Sequence, residues 1–74
     1  MIVSTVVWTP ASGDMRNWIY EQCLIGRVHA GSVVEIESGK IEAITKDYLF
    51  VSGFAFARCN FVVALANSYL QPGW

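Results

Sequence analysis

The spacing of hydrophobic and polar positions changes once along this 74-residue chain, and each regime predicts a different element. The opening run IVSTVVW is β-branched and aromatic and ends at Thr9-Pro10, the pattern of a short edge strand over residues 2–8. Between positions 14 and 25, Met15, Trp18, Ile19, Cys23 and Ile25 fall on one side of a helical wheel, with Arg16, Asn17 and Glu21 elsewhere. That spacing predicts one short helix of about three turns. Ser12 or Asp14 is placed to cap its first amides, and Gly26 to end it. Tyr20 and Leu24, one helical turn apart, lie outside the stripe and point to a second contact surface.

After GRVHAG the period becomes two, and turn residues recur at short intervals. VVEIE, KIEAI, YLFVS, FAFAR and FVVAL are separated by Ser38-Gly39, Thr45-Lys46-Asp47, Gly53 and Cys59-Asn60. The expected fold is α+β and β-rich. It has one short helix (about 14–25), a five-stranded antiparallel meander or small barrel (about 33–65), and an N-terminal edge strand (2–8). Residues 1–74 form a single small domain, with 66–74 as a loose C-terminal tail ending in Trp74.

Read as a two-residue hairpin turn, Ser38-Gly39 sets Glu37 against Lys40, Ile36 against Ile41 and Glu35 against Glu42. Val34, Ile36, Ile41, Ala43, Leu49, Val51, Phe54 and Phe56 then share one face. The other face carries Glu35, Glu37, Lys40 and Glu42 at one end and Ile44, Tyr48, Phe50, Ala55 and Ala57 at the other. A helix covers only one face, so this apolar half needs cover of its own, by curling of the sheet or by another chain.

Residues 48 to 65 carry Arg58 as their only charge after Asp47, and their length suits a membrane-spanning helix. Arg58 near the middle would cost about 2.5–3.5 kcal/mol on insertion, and Ser52-Gly53 and Cys59-Asn60 interrupt the run at strand-like intervals. The stretch reads as buried sheet rather than as a membrane span.

Composition sharpens the need for a partner. Hydrophobic residues make up 54% of the chain and charged residues 15%, against roughly 25% charged in ordinary soluble domains. A domain this short buries only about 60% of the surface its unfolded chain exposes. The net charge of −1 and the lack of a basic run disfavour phosphate-driven binding. Two cysteines, Cys23 and Cys59, allow at most one bridge, and MIVSTVVWTPASGDM lacks a basic n-region. A reducing cytoplasmic setting with free thiols is expected.

Little here suggests catalysis. His29 is the sole histidine, in a glycine-flanked loop, and two thiols with one distant histidine fall short of the four ligands of structural zinc. Phosphate-cradling glycine loops are absent as well, so neither cofactor nor metal is expected and the chain reads as non-enzymatic. Alternation puts Arg58 on the side of Phe54 and Phe56, where a guanidinium either reaches water or needs an anion or several carbonyls. Asp47 is its candidate ion-pair partner, with Asn60 beside it as a further ligand candidate.

The segment GKIEAITKDYLFVSG looks like the glycine-isoleucine segment and following strand of the bacterial Sm-like RNA chaperone. Arg58-Cys59-Asn60 is similar to the Arg-Gly-Asn turn of eukaryotic and archaeal Sm proteins, with Cys59 where that turn has glycine. About half of the chain resembles Sm-like or SH3-like small β-barrels in this way. The resemblance implies ring closure by strand addition and binding of single-stranded RNA, with Tyr48, Phe50 and Arg58 as contacts.

The residues themselves favour a different role. The surplus apolar face and the tryptophans Trp8, Trp18 and Trp74 suit a small interaction protein, an inhibitor or adaptor, that self-associates or binds a protein partner. Its expected interface is Ile44, Tyr48, Phe50, Ala55 and Ala57, with Tyr20, Leu24 and Trp74.

Overall fold

A computed structural model describes residues 6–66. They build six strands: β1 (Thr9–Pro10), β2 (Gln22–His29), β3 (Ser32–Ile44), β4 (Tyr48–Val51), β5 (Phe54–Ala57) and β6 (Val62–Leu65). All neighbours pair antiparallel, in the spatial order β1-β6-β2-β3-β4-β5. The protein is therefore a small antiparallel β-sheet protein, and the expected α+β class is overturned.

The helix expected over 14–25 does not form. Among the described residues the helical content of this region is one 3₁₀ turn, Arg16–Trp18. Asp14 accepts the Arg16 amide at 3.0 Å ahead of it, and Tyr20 at φ 65° turns the chain out of it. From Gln22 onward the chain is the central strand β2, hydrogen-bonded to β6 on one side and β3 on the other. Cys23, Leu24, Ile25 and Gly26 are buried in succession. A strand covered on both faces is a continuous apolar run, which over so few residues is indistinguishable from a helical stripe. A three-turn helix is marginal alone, whereas ladders on both sides hydrogen-bond the backbone of this segment.

The first hairpin also moves. Ala30 (φ 51°) and Gly31 (φ 81°) join β2 to β3 with His29 opposite Ser32, the two positive φ values of a type I′ turn. Ser38 lacks such a φ, so β3 runs straight through Ser38-Gly39 and merges two of the strands expected separately. Glu37 faces Ile25 and Glu35 faces Gly26; the expected opposition of Glu35 to Glu42 is not formed. At Gly39 (φ 155°) a Cβ would collide with Ser52 Oγ. The missing side chain lets the β4–β5 turn sit against β3, where the Ser52 hydroxyl donates to the Ser38 carbonyl at 3.1 Å.

The edge strand lies later than expected. It is Thr9–Pro10, paired to Val63 and Val62; residues 2–5 of the predicted 2–8 strand lie outside the described residues, and Val6 to Trp8 are not strand. Trp8 instead packs over Gly26, where a Cβ would come within 2.7 Å of its ring and 2.5 Å of Val33. Residues 67–74 of the expected tail, Trp74 included, also lie outside the described residues.

Inside the curled sheet lie Ala11, Met15, Cys23, Ile25, Ile41, Leu49, Val51 and Val63, with Trp18, Ile19, Ile44, Phe56 and Phe61 packed against them. The long β3 serves both halves: its first part pairs with β2 and its last part with β4. Bulges shift its register near Ile36 and again near Glu42, and such insertions bend and twist a strand. The sheet can thereby wrap around one core.

Candidate functional site

Tyr48 lies opposite Ala57, and Phe50 opposite Ala55, across the β4–β5 ladder. Because side chains alternate along a strand, all four occupy the face away from Leu49, Val51 and Phe56. The Tyr48 and Phe50 rings lie 6.5 Å apart and tilted. Tyr48 is 46% exposed, Ala55 is exposed, and Phe50 and Ala57 are half-buried. The expected grouping of these four residues on one outer face thus exists.

Ile44 is not on this face. The bulge near Glu42 inserts one residue between the pairs Ile41–Val51 and Ala43–Phe50, so that Ile44 pairs with Leu49 and packs against the core. A one-residue insertion reverses every later side chain. Ala43, which the sequence pattern assigned to the core, takes the place beside Phe50 and is exposed. Glu42 itself accepts the Gly53 amide at 3.0 Å and ties the bulge to the β4–β5 turn.

Tyr20 and Leu24 separate. Tyr20 is 67% exposed on the turn before β2, while Leu24 is 1% exposed within β2, opposite Ala64 and Ser38. Leu24 therefore has no free surface to offer another chain.

Arg58 closes the molecule. Its Nε donates to the Ala11 carbonyl at 3.2 Å, Nη1 to Thr45 at 2.7 Å and Lys46 at 3.3 Å, and Nη2 to Gly13. The planar fork of donors suits this task, and it holds the chain after β1 against the β3–β4 loop. Of the readings open for Arg58, several carbonyls is the one formed. Asp47 meets it through the backbone only, as its carbonyl accepts the Arg58 amide at 2.8 Å. Among the described residues the ion pair within 4.0 Å is Asp14–Arg16, at 2.6 Å; hydrogen bonds from Arg16 hold the Asp14 carboxyl down at about 2.

Around this clasp runs an open cleft of about 540 Å³, whose lining includes Ala11, Gly13, Asp47, Tyr48, Ala57, Arg58 and Cys59. Asn60 contributes its amide to the Ala57 carbonyl at 3.0 Å, and its side-chain oxygen lies 3.6 Å from the Cys59 sulfur. Both cysteines are free: Cys59 is exposed, and Cys23 is buried, where desolvation pushes its thiol up to about 11. Within the described residues, no three His, Cys, Asp or Glu side chains are grouped to hold a metal ion, and no helix is long and apolar enough to cross a membrane.

Phe54 was missed as a surface residue. It stands on the core side of β5, yet is 59% exposed, because β5 is the last strand of the sheet among the described residues. Alternation reports which face a residue takes; it carries no information on whether that strand is central or terminal.

No family model, no curated protein and no solved structure matches the chain.

Proposed function

We propose that the protein is a small, non-enzymatic interaction module that makes protein contacts through the outer face of β4 and β5. The observation that carries this reading is the cluster of Tyr48, Phe50, Ala43, Ala55 and Ala57 on one solvent-facing side of the sheet. Aromatic groups with an apolar ring and a polar rim are the anchors that protein interfaces favour. The flanking alanines leave the Tyr48 and Phe50 rings accessible, and a partner lying on this face would desolvate them together. Inhibitor or adaptor is the role that suits such a module.

Its sheet is read as a small barrel of the Sm-like or SH3-like kind, with one bent strand, β3, shared by both halves. The RNA-binding alternative has Tyr48 and Phe50 for stacking, but four of the Arg58 hydrogen bonds already go to carbonyls and the net charge is −1. Protein contact is therefore the favoured reading, in the cytoplasm.

Apolar-dye fluorescence and sedimentation, run together over micromolar to submillimolar protein, test it. The expected result is dye binding, or mass above the 8.2 kDa monomer, that Tyr48→Ser with Phe50→Ser abolishes while the fold is kept. A dye-silent monomer, or a double variant identical to the parent, defeats the reading.

A further inference from the structure

Among the described residues, the terminal strand β5 has a hydrogen-bonded neighbour on one side, β4, and none on the other. Its turn is the two-residue Ser52-Gly53, with φ 53° and 80°, so Val51 and Phe54 form the closing hydrogen-bonded pair. Hydrogen-bonded pairs then alternate: Phe54, Phe56 and Arg58 direct their backbone groups at β4, and the Arg58 amide on the Asp47 carbonyl at 2.8 Å keeps that parity. Ala55 and Ala57 direct theirs outward. The Ala57 carbonyl is used by the Asn60 amide, which leaves the Ala55 N–H and C=O and the Ala57 N–H on the open edge.

Sheet edges are ordinarily blunted by lysine, proline, a bulge or a covering loop. β5 reads Phe-Ala-Phe-Ala and carries none of these residues, and no bulge interrupts its pairing with β4. The opposite edge, β1, is two residues long and its second residue is proline, which has no N–H to give. The two edges are therefore unequal, and head-to-tail addition of β5 to β1 offers little ladder. Self-pairing of β5 offers more.

We infer that β5 pairs antiparallel with β5 of a second copy about a two-fold axis at Ala55, giving one continuous sheet through two molecules; this takes the protein-contact reading above as its premise and names the partner. In that register each Ala55 exchanges both backbone bonds with the other Ala55, and each Ala57 N–H meets the other copy's Gly53 carbonyl. Phe54 falls opposite the other copy's Phe56, on the side where Phe56 already meets Phe61 edge-on at 5.4 Å. Cross-strand aromatic pairs of this kind stabilise a sheet, and the exposed Phe54 is covered by them. Charge agrees with the direction. Glu42, bound to the Gly53 amide at one end of β5, comes alongside the Arg58 and Lys46 end of the other copy. The two-fold contact is self-complementary and closes.

Sedimentation of the full chain, with two variants, decides the matter. Ala55→Pro removes the outward N–H and leaves the β4–β5 ladder whole, so it is expected to be monomeric with unchanged circular dichroism, while the parent is a dimer. Ala55→Cys in a Cys59→Ser background is expected to form an intermolecular disulfide at position 55 under mild oxidation, since hydrogen-bonded partners lie about 5.5 Å apart at Cα, within disulfide range. A monomeric parent, an Ala55→Pro dimer, a larger closed ring, or absence of the crosslink in the Ala55→Cys protein overturns the inference. The outer-face reading is tested separately: if Tyr48→Ser with Phe50→Ser abolishes dye binding or association while Ala55→Pro does not dissociate the protein, the edge pairing fails and that reading stands.

Discussion

β2 and β5 are both apolar strands of one antiparallel sheet, and their surroundings are opposite. β2 lies between β6 and β3, with Cys23 and Ile25 turned into the core and Leu24 turned to the other side, all three at 1% exposure or less. Among the described residues β5 has a neighbour on one side, and even its core-side residues Phe54 and Phe56 keep contact with solvent. The difference shows that apolar composition does two jobs here. In the middle of the sheet it is enclosed and supplies stability, and at the edge it stays exposed, as the surface that the inferred β5 pairing would use.

The sharpest way to break this comparison is to substitute one residue on each strand. Leu24→Ala is expected to cost about 2–5 kcal/mol of unfolding free energy, as for other fully buried leucines. Ala55→Ser, in dilute monomer, should stay within about 0.5 kcal/mol of the parent. Urea unfolding followed by circular dichroism measures both; similar losses at the two sites would show that β5 is as enclosed as β2.

Arg58 follows β5 and ties the chain after β1 to the β3–β4 loop, so its replacement tests how far that clasp steadies the edge side of the sheet. Arg58→Lys keeps the charge but not the planar fork, and a lysine ammonium cannot reach carbonyls of Ala11, Gly13, Thr45 and Lys46 in the same geometry. A loss of about 1–3 kcal/mol is expected, together with faster amide exchange in residues 11–13. If exchange there stays at the parent rate, the clasp is not what holds that segment.

The smallest effect compares the two type I′ turns. Ala30 and Ser52 occupy equivalent left-handed positions, at φ 51° and 53°. Ala30→Gly relieves that strain and should raise stability by a few tenths to about 1 kcal/mol. Ser52→Gly should gain less, because it also removes the hydrogen bond to Ser38. Melting temperatures of the two variants rank them, and a larger gain at Ser52 would remove the role given to its hydroxyl.

What was legible in the chain depended on local regularity. The Ser52-Gly53 turn, strands β4 and β5, and the shared face of Tyr48, Phe50, Ala55 and Ala57 followed from alternation and a glycine. The same rule failed at Ile44, because a bulge has no residue type that announces it. The first hairpin was misplaced because Ser38-Gly39 is better turn chemistry than Ala30-Gly31, yet the sheet accepts an alanine at positive φ to keep β3 long. For Arg58 the sequence left open whether the guanidinium reaches water or takes acceptors within the protein. Which acceptors it takes was not legible, because two of them come from residues more than forty positions away.

By itself, then, the sequence determined a β-rich chain with more apolar surface than so few residues can bury, since composition and a period of two are properties of neighbouring positions. The tertiary structure alone decided that Cys23 to Gly26 is a central strand and not a helix, that Ile44 faces inward, and that β5 is left at the edge. Those outcomes rest on ladder partners, bulges and strand order, which are set by contacts between residues far apart in the chain.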